Sequence, residues 1–242
     1  MSGMHLHDYM TARRAAVPVL DGIDLGRYID SNRLTSCRTN LRKFRRGEII
    51  IEAGEVTDNF ARVQLGLVGA TAILPDGREF ILEIIPPDGL IGEIDVLQGN
   101  PITLEYRAMS DCDLSFFDGR WLRETCLTDP KIHEEVFSSV LARVSELERR
   151  IVASAGSSLV ARVAGTLLRL AAIYKKHMPE KAGELAISQH ELAAMVPASR
   201  EKVNQCLRRL REHNIIGGTQ GKIRILNTSA LQLYADGLDA PD

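Results

Sequence analysis

The sequence predicts an α+β protein: an N-terminal antiparallel β jelly roll, one long helix, and a small C-terminal winged helix-turn-helix. Three observations predict it. From Leu41 to about Phe117, short apolar alternations are broken by turn residues. After Asp129-Pro130 the apolar period lengthens from two to near three and a half. Beyond Ser188, two short capped helical patterns are followed by a Gly-rich hairpin pattern.

In the first part, Ala61, Val63 and Leu65 alternate with Arg62 and Gln64, and Phe80, Leu82 and Ile84 alternate with Ile81, Glu83 and Ile85. Pro75-Asp76-Gly77 lies between two such runs, where a hairpin turn belongs. The predicted divisions are a flexible N-terminus over 1–20, a β-barrel domain over 21–128, a dimerisation helix with hinge over 129–156, a winged helix-turn-helix over 157–232 and a tail over 233–242.

On the long helix, Phe137, Val140, Val144, Leu147 and Ile151 recur at steps of three and four. Such a narrow seam suits a two-stranded coiled coil and hence a homodimer, or a helix lying on its own barrel. Arg143, Glu146, Glu148, Arg149 and Arg150 read as its solvated flanks, and the small residues Ala153–Ser158 as a hinge.

Charge separates the halves. Residues 1–156 carry 18 basic against 24 acidic side chains, and residues 157–226 carry 12 against 5. Positive charge confined to one segment is the pattern expected where that segment alone meets phosphate. Apolar runs such as Phe80–Pro86 are too short to cross a bilayer, and the first 21 residues lack a signal-peptide core, so a cytoplasmic protein is expected. Cys37, Cys112, Cys126 and Cys206 are widely spaced and read as free thiols; neither a metal site nor a catalytic constellation is legible.

In the basic segment, a helix from Leu159 to Lys176 has Ser158 as N-cap and Val163, Leu167, Leu170 and Ile173 as its buried face. Ser188-Gln189-His190-Glu191 is a capping box. After Val196-Pro197-Ala198, Ser199 caps a second helix, Arg200–His213, with Val203, Leu207 and Leu210 facing inward. Its first turn offers Arg200, Glu201, Lys202, Asn204 and Gln205 to a major groove, where Arg pairs with guanine, Glu with the cytosine amine and Gln with adenine. Arg208 follows, and Ser188 and Gln189 on the preceding helix join the candidate DNA contacts. Ile215–Gly218 and Lys222–Leu226 read as a wing whose Lys222 and Arg224 meet backbone phosphate.

These residues resemble the Crp/Fnr family, named for the cyclic-AMP receptor protein and the fumarate-nitrate reduction regulator. The marks are Ile187–Ala193, Ser199–Asn204 and Gly221–Leu226, and in the first half Arg46–Ile50, Glu52-Ala53-Gly54, Pro75–Glu79 and Ile91-Gly92-Glu93. The resemblance spans roughly residues 20–230. It implies a cyclic-nucleotide-binding-type barrel and a homodimer on a palindromic promoter site, regulating transcription through contact with RNA polymerase. It also implies an effector pocket at Gly92, Glu93, Ile102, Thr103, Leu147 and Glu148.

Departures from the family pattern carry information. Ile102 stands where cyclic-AMP-binding members have Arg, and Leu147-Glu148 where they have Thr-Ser, so cyclic AMP is disfavoured. The effector is then another small molecule, a thiol oxidation, or nothing. Gln205 replaces an Arg that reads guanine, which predicts a half-site altered at that base. Pro197 replaces the usual turn Gly and cannot adopt positive φ. The expected function is a sequence-specific transcription regulator; the alternative is a nucleotide-binding sensor or regulatory subunit acting through protein contacts.

Overall fold

The structure, a computed structural model of the 242-residue chain, describes residues 38–181, 183–219 and 221–238. The expected N-terminal segment 1–20, Cys37, Gln220 and the tail beyond 238 lie outside the described residues.

Eight strands form the first half: β1 (Arg38–Phe44), β2 (Ile49–Ile51), β3 (Asn59–Leu65), β4 (Val68–Ile73), β5 (Glu79–Ile85), β6 (Leu90–Ile91), β7 (Glu105–Ala108) and β8 (Cys112–Asp118). They make two four-stranded sheets, ordered β1-β8-β3-β6 and β2-β7-β4-β5, with every pairing antiparallel. The strand faces turned toward each other enclose Ile51, Val63, Val68, Ile85, Ile91, Ile102, Tyr106 and Leu114. A short helix, α1 (Glu93–Gln98), lies between β6 and β7.

The β4–β5 hairpin turns at Pro75-Asp76-Gly77. The Leu74 amide donates to the Arg78 carbonyl at 2.8 Å, and the Asp76 carboxylate accepts from the Arg78 backbone and side chain. β5 does not alternate as expected. Its register slips where β4 passes from Ala70 to Thr71, and Ile81 is buried along with Ile84 and Ile85. A bulge lets one strand present apolar groups both ways: Ile85 enters the barrel core, whereas Ile81 and Ile84 join the core of the C-terminal half.

Two helices follow the barrel. α2 (Gly119–Thr128) is capped by Asp118, and at Gly119 any Cβ would collide with Val96 and the Asp58 backbone. α3 (Pro130–Ala155) starts at Pro130 behind Asp129, whose carboxylate accepts from the Lys131 and Ile132 amides. Its 26 residues span about 39 Å at the α-helical rise. Ile132 anchors its start among Phe60, Leu90, Phe117 and Leu122. The expected hinge over Ala153–Ser158 is corrected: Ala153–Ala155 continue the helix, as Ala favours, and the break is confined to Gly156–Ser158.

The C-terminal half comprises α4 (Leu159–His177), α5 (Gln189–Met195), α6 (Arg200–Glu212), β9 (Ile216–Gly217), β10 (Arg224–Ile225) and α7 (Thr228–Ala235). α7 lies across the expected boundary at 232/233. Its Leu231 and Tyr234 are fully buried, so the segment starting at 233 is folded core as far as Ala235 and not tail. One apolar cluster joins α4, α5, α6 and α7 to Leu67, Ile81 and Ile84 of the barrel.

Candidate nucleic-acid interface

α5 begins with a complete capping box. The Ser188 hydroxyl accepts from the Glu191 amide at 3.1 Å, and the Glu191 carboxylate accepts from the Ser188 amide at 2.7 Å. Arg46 grips the same carboxylate with Nη2, at 2.7 and 2.8 Å, and donates from Nη1 to the Ala186 carbonyl at 3.0 Å. His190 meets Glu79 at 3.1 Å. The barrel thus holds the start of α5, and the Ser188 hydroxyl is engaged inside the protein. Gln189 is half-buried.

The turn between α5 and α6 has no left-handed residue. Val196 closes α5 at φ −110°, ψ 24°, and its amide donates to the Leu192 carbonyl at 3.2 Å. Pro197 therefore stands in a turn that does not require positive φ. Ser199 caps α6 by accepting from the Lys202 amide. Val203, Leu207 and Leu210 are completely buried beneath it.

Arg200, Glu201, Lys202, Gln205 and Arg208 are exposed. At 3.6 residues per turn, Glu201, Gln205 and Arg208 fall within an arc of about 60° on the side away from the core. Asn204 corrects the expectation of a fully exposed first turn. It is half-buried, and its Oδ1 is covered without a hydrogen-bond partner, because it lies on the shoulder between the exposed arc and Val203. Arg209 stacks over Tyr234 at 5.6 Å and so serves the fold.

The wing is a two-stranded ribbon, Arg224 opposite Gly217 and Ile225 opposite Ile216, extended by a bridge between Leu185 and Ile223. Gly218 takes φ 101°, and any Cβ there would strike the Lys222 backbone. Lys222 and Arg224 are exposed, and both turn toward one acid. Lys222 Nζ lies 2.9 Å from Glu184 Oε2, and Arg224 Nη2 lies 3.7 Å from Glu184 Oε1. Sequence reading passed over Glu184, since only the Leu185–Ile223 bridge brings it under the wing.

The other candidate site lies on the barrel. Gly92 takes φ 77° at the start of α1, and the tips of Ile102 and Ile51 lie over it. Glu93 and Ile102 are buried, and Thr103 donates to Asp95 at 2.6 Å. The side chain that meets Glu93 comes from α3: Arg143 Nη1 lies 2.9 Å from Glu93 Oε1, and its Nη2 lies 2.7 Å from Glu83 Oε2. Only 11% of the Arg143 side chain is exposed. Burial pushes the Glu93 carboxyl up against the pull of Arg143, and pushes the Tyr106 hydroxyl up beside it. Arg143, expected as a solvated flank, is thus an internal ion-pair residue. Leu147 is half-buried and Glu148 is exposed; the side chain facing Glu93 is Arg143, five residues before Glu148 on α3.

Along α3, Phe137, Val144 and Ile151 are exposed, as are Leu141 and Val152, while Val140 and Leu147 are half-buried. Burial pushes the thiols of Cys112, Cys126 and Cys206 up, away from the reactive thiolate. Among the described residues no cluster of His, Cys, Asp and Glu suits a metal, and no helix is long and apolar enough to cross a membrane.

Residues 161–234 match the Crp-like helix-turn-helix domain, and residues 41–129 match the cyclic nucleotide-binding domain. The chain belongs to the Crp/Fnr family. It is 28% identical over 168 residues to a CRP-like cAMP-activated global transcriptional regulator of Mycobacterium tuberculosis, covering 68% of this chain and 74% of that one. It is also 28% identical over 195 residues to the transcriptional regulator SdrP of Thermus thermophilus, covering 80% and 93%. A solved CRP/FNR family regulator from Thermus thermophilus superposes with a TM-score of 0.68 at 26% identity, covering 81% of this chain and 98% of that one.

This Crp/Fnr chain is accordingly a DNA-binding transcription regulator. Two features of its barrel bear on the cyclic nucleotide that the fold implies. Above Gly92 stand apolar tips, and the cation nearest Glu93 is already committed to two carboxyl groups.

Proposed function

We propose that the chain acts as a homodimer on a palindromic promoter site in the cytoplasm, regulating transcription through contact with RNA polymerase and by binding rather than catalysis. One observation carries the reading of DNA: the exposed arc of Glu201, Gln205 and Arg208 lies opposite a completely buried apolar face, and Arg200 is exposed beside it on the helix's first turn. That arc is free to enter a major groove while the helix stays packed. Lys222 and Arg224 on the wing, with Lys202, take backbone phosphate. The exposed stripe Phe137, Val144 and Ile151, flanked by Val140 and Leu147, suits pairing with the same stripe of a second copy. Two-fold symmetry then sets half-sites about 34 Å apart, one turn of the duplex. Cyclic AMP is not the effector in this reading.

Footprinting on the DNA upstream of the chain's own gene, followed by gel shifts from about 50 to about 200 mM salt, tests it. Protection of a two-fold site whose affinity falls steeply with salt is expected. Arg200→Ala should lose about 1 to 3 kcal/mol and relax one base preference. A salt-insensitive affinity, or an unchanged base preference in Arg200→Ala, would refute the reading.

A further inference from the structure

We infer that Arg143, set between α3 and the barrel against Glu93 and Glu83, closes the effector pocket that the resemblance implies to cyclic nucleotides and seats α3 on the barrel without any such ligand. The guanidinium bridges Glu93 on α1 and Glu83 on β5, which belong to different parts of the barrel wall. One guanidinium set between two carboxyl groups leaves no positive charge for a phosphate. A cyclic nucleotide would have to detach Arg143 and strand two acids in a poorly hydrated site. The second Glu93 oxygen is buried without a hydrogen-bond partner. Ile102 and Ile51 close the space above Gly92 with methyl groups, and those supply no donor.

Seating follows from the same contacts. Arg143 points inward, and its neighbour Val144 is exposed on the apolar stripe. The ion cluster therefore fixes the rotation of α3 and holds its stripe outward. This rests on the proposed homodimer only for its consequence, the spacing of the two reading helices. The closure itself concerns a single chain.

The test uses the full chain without DNA, so its failure is distinct from failure of the operator reading. Calorimetric titration with cyclic AMP and with cyclic GMP should give no saturable heat at millimolar nucleotide. Hydrogen exchange in Arg143→Gln should rise about tenfold for the α3 amides around residue 143, with the barrel strands unchanged and Arg143→Lys partly restoring protection. If Arg143→Gln does not fold, Glu83→Gln keeps Glu93 paired and should show the same exchange effect, smaller, about twofold to threefold. Saturable nucleotide binding, or unchanged α3 exchange in the folded variant, would overturn the inference.

Discussion

Glu184 makes the wing a sharp test of how this interface works. Its carboxylate lies 2.9 Å from Lys222 and 3.7 Å from Arg224, with 33% of its side chain exposed against 58% and 60% for the two cations. Solvent screens pairs this open, and such pairs are typically worth about 0.2 to 1 kcal/mol. In the free protein the acid satisfies the cations that phosphate would engage. On DNA it opposes the phosphate directly. Glu184→Gln keeps the size and hydrogen-bonding capacity while removing both effects, so binding should tighten by roughly 0.5 to 1 kcal/mol, or about twofold to fivefold. The gain should be equal for operator and unrelated DNA, since backbone contacts carry no base information. The slope of log affinity against log salt should steepen by up to about one unit per freed cation. Fluorescence anisotropy with operator and scrambled duplexes across a salt series measures all three quantities. Lys222→Ala should weaken both duplexes alike, and in that background the Glu184→Gln gain should shrink, because the main partner is gone. A Glu184→Gln protein that bound less tightly, or gained only on operator, would show that the acid positions the wing and does not compete with phosphate.

Three further outcomes are expected. Gln205→Arg should move the preferred base at its contact from adenine toward guanine, by about 1 to 3 kcal/mol in competition gel shifts; an unchanged preference removes Gln205 from the reading surface. Val144→Glu puts a charge on the exposed stripe, and should shift sedimentation from dimer to monomer while the thermal melt of each chain is retained. An unaltered dimer would mean that another surface pairs. Arg46→Ala removes the fork on Glu191 and the bond to Ala186, and after screening should cost about 1 kcal/mol, lowering the melting temperature by about 2 to 4 °C. Faster exchange confined to α5 would accompany it, and an unchanged melt would mean the apolar contacts alone hold the domains together.

What was legible in the sequence was local. The capping box at Ser188–Glu191, the Ser199 cap and the apolar steps Val203, Leu207 and Leu210 each lie within a few residues, and each forms as read. Hairpin chemistry at Pro75-Asp76-Gly77 is local too. What escaped involves residues far apart in the chain. Arg143 and Glu93 are 50 residues apart, and by helical period alone Arg143 reads as a flank. Glu184 acquires its partners only through the bridge to Ile223. β5 breaks its alternation because it has cores on both sides, which no pattern within seven residues reveals. The short helix α7, a local element, was missed as well: it straddles the boundary drawn between the winged helix-turn-helix and the tail, although Asn227, an ordinary N-cap residue, stood as a signal before Leu231 and Tyr234.

The barrel is the reference body for both functional helices. On one side it supplies Leu67, Ile81 and Ile84 to the core that also holds Leu192 of α5 and Val203 of α6, and Arg46 ties down the first turn of α5. Elsewhere, Glu83 and Glu93 hold α3 through Arg143. Glu83 lies two residues from Ile81 on β5, so one strand touches both attachments. A slip in β5 would therefore move the seam and the reading helix together. In a two-fold dimer, any change in the angle between those helices alters the spacing of the two reading helices, and spacing is what a palindromic site measures. The bulge in β5 puts Ile81 and Ile84 into that shared core, and so the packing beneath the reading helix depends in part on a strand of the other domain.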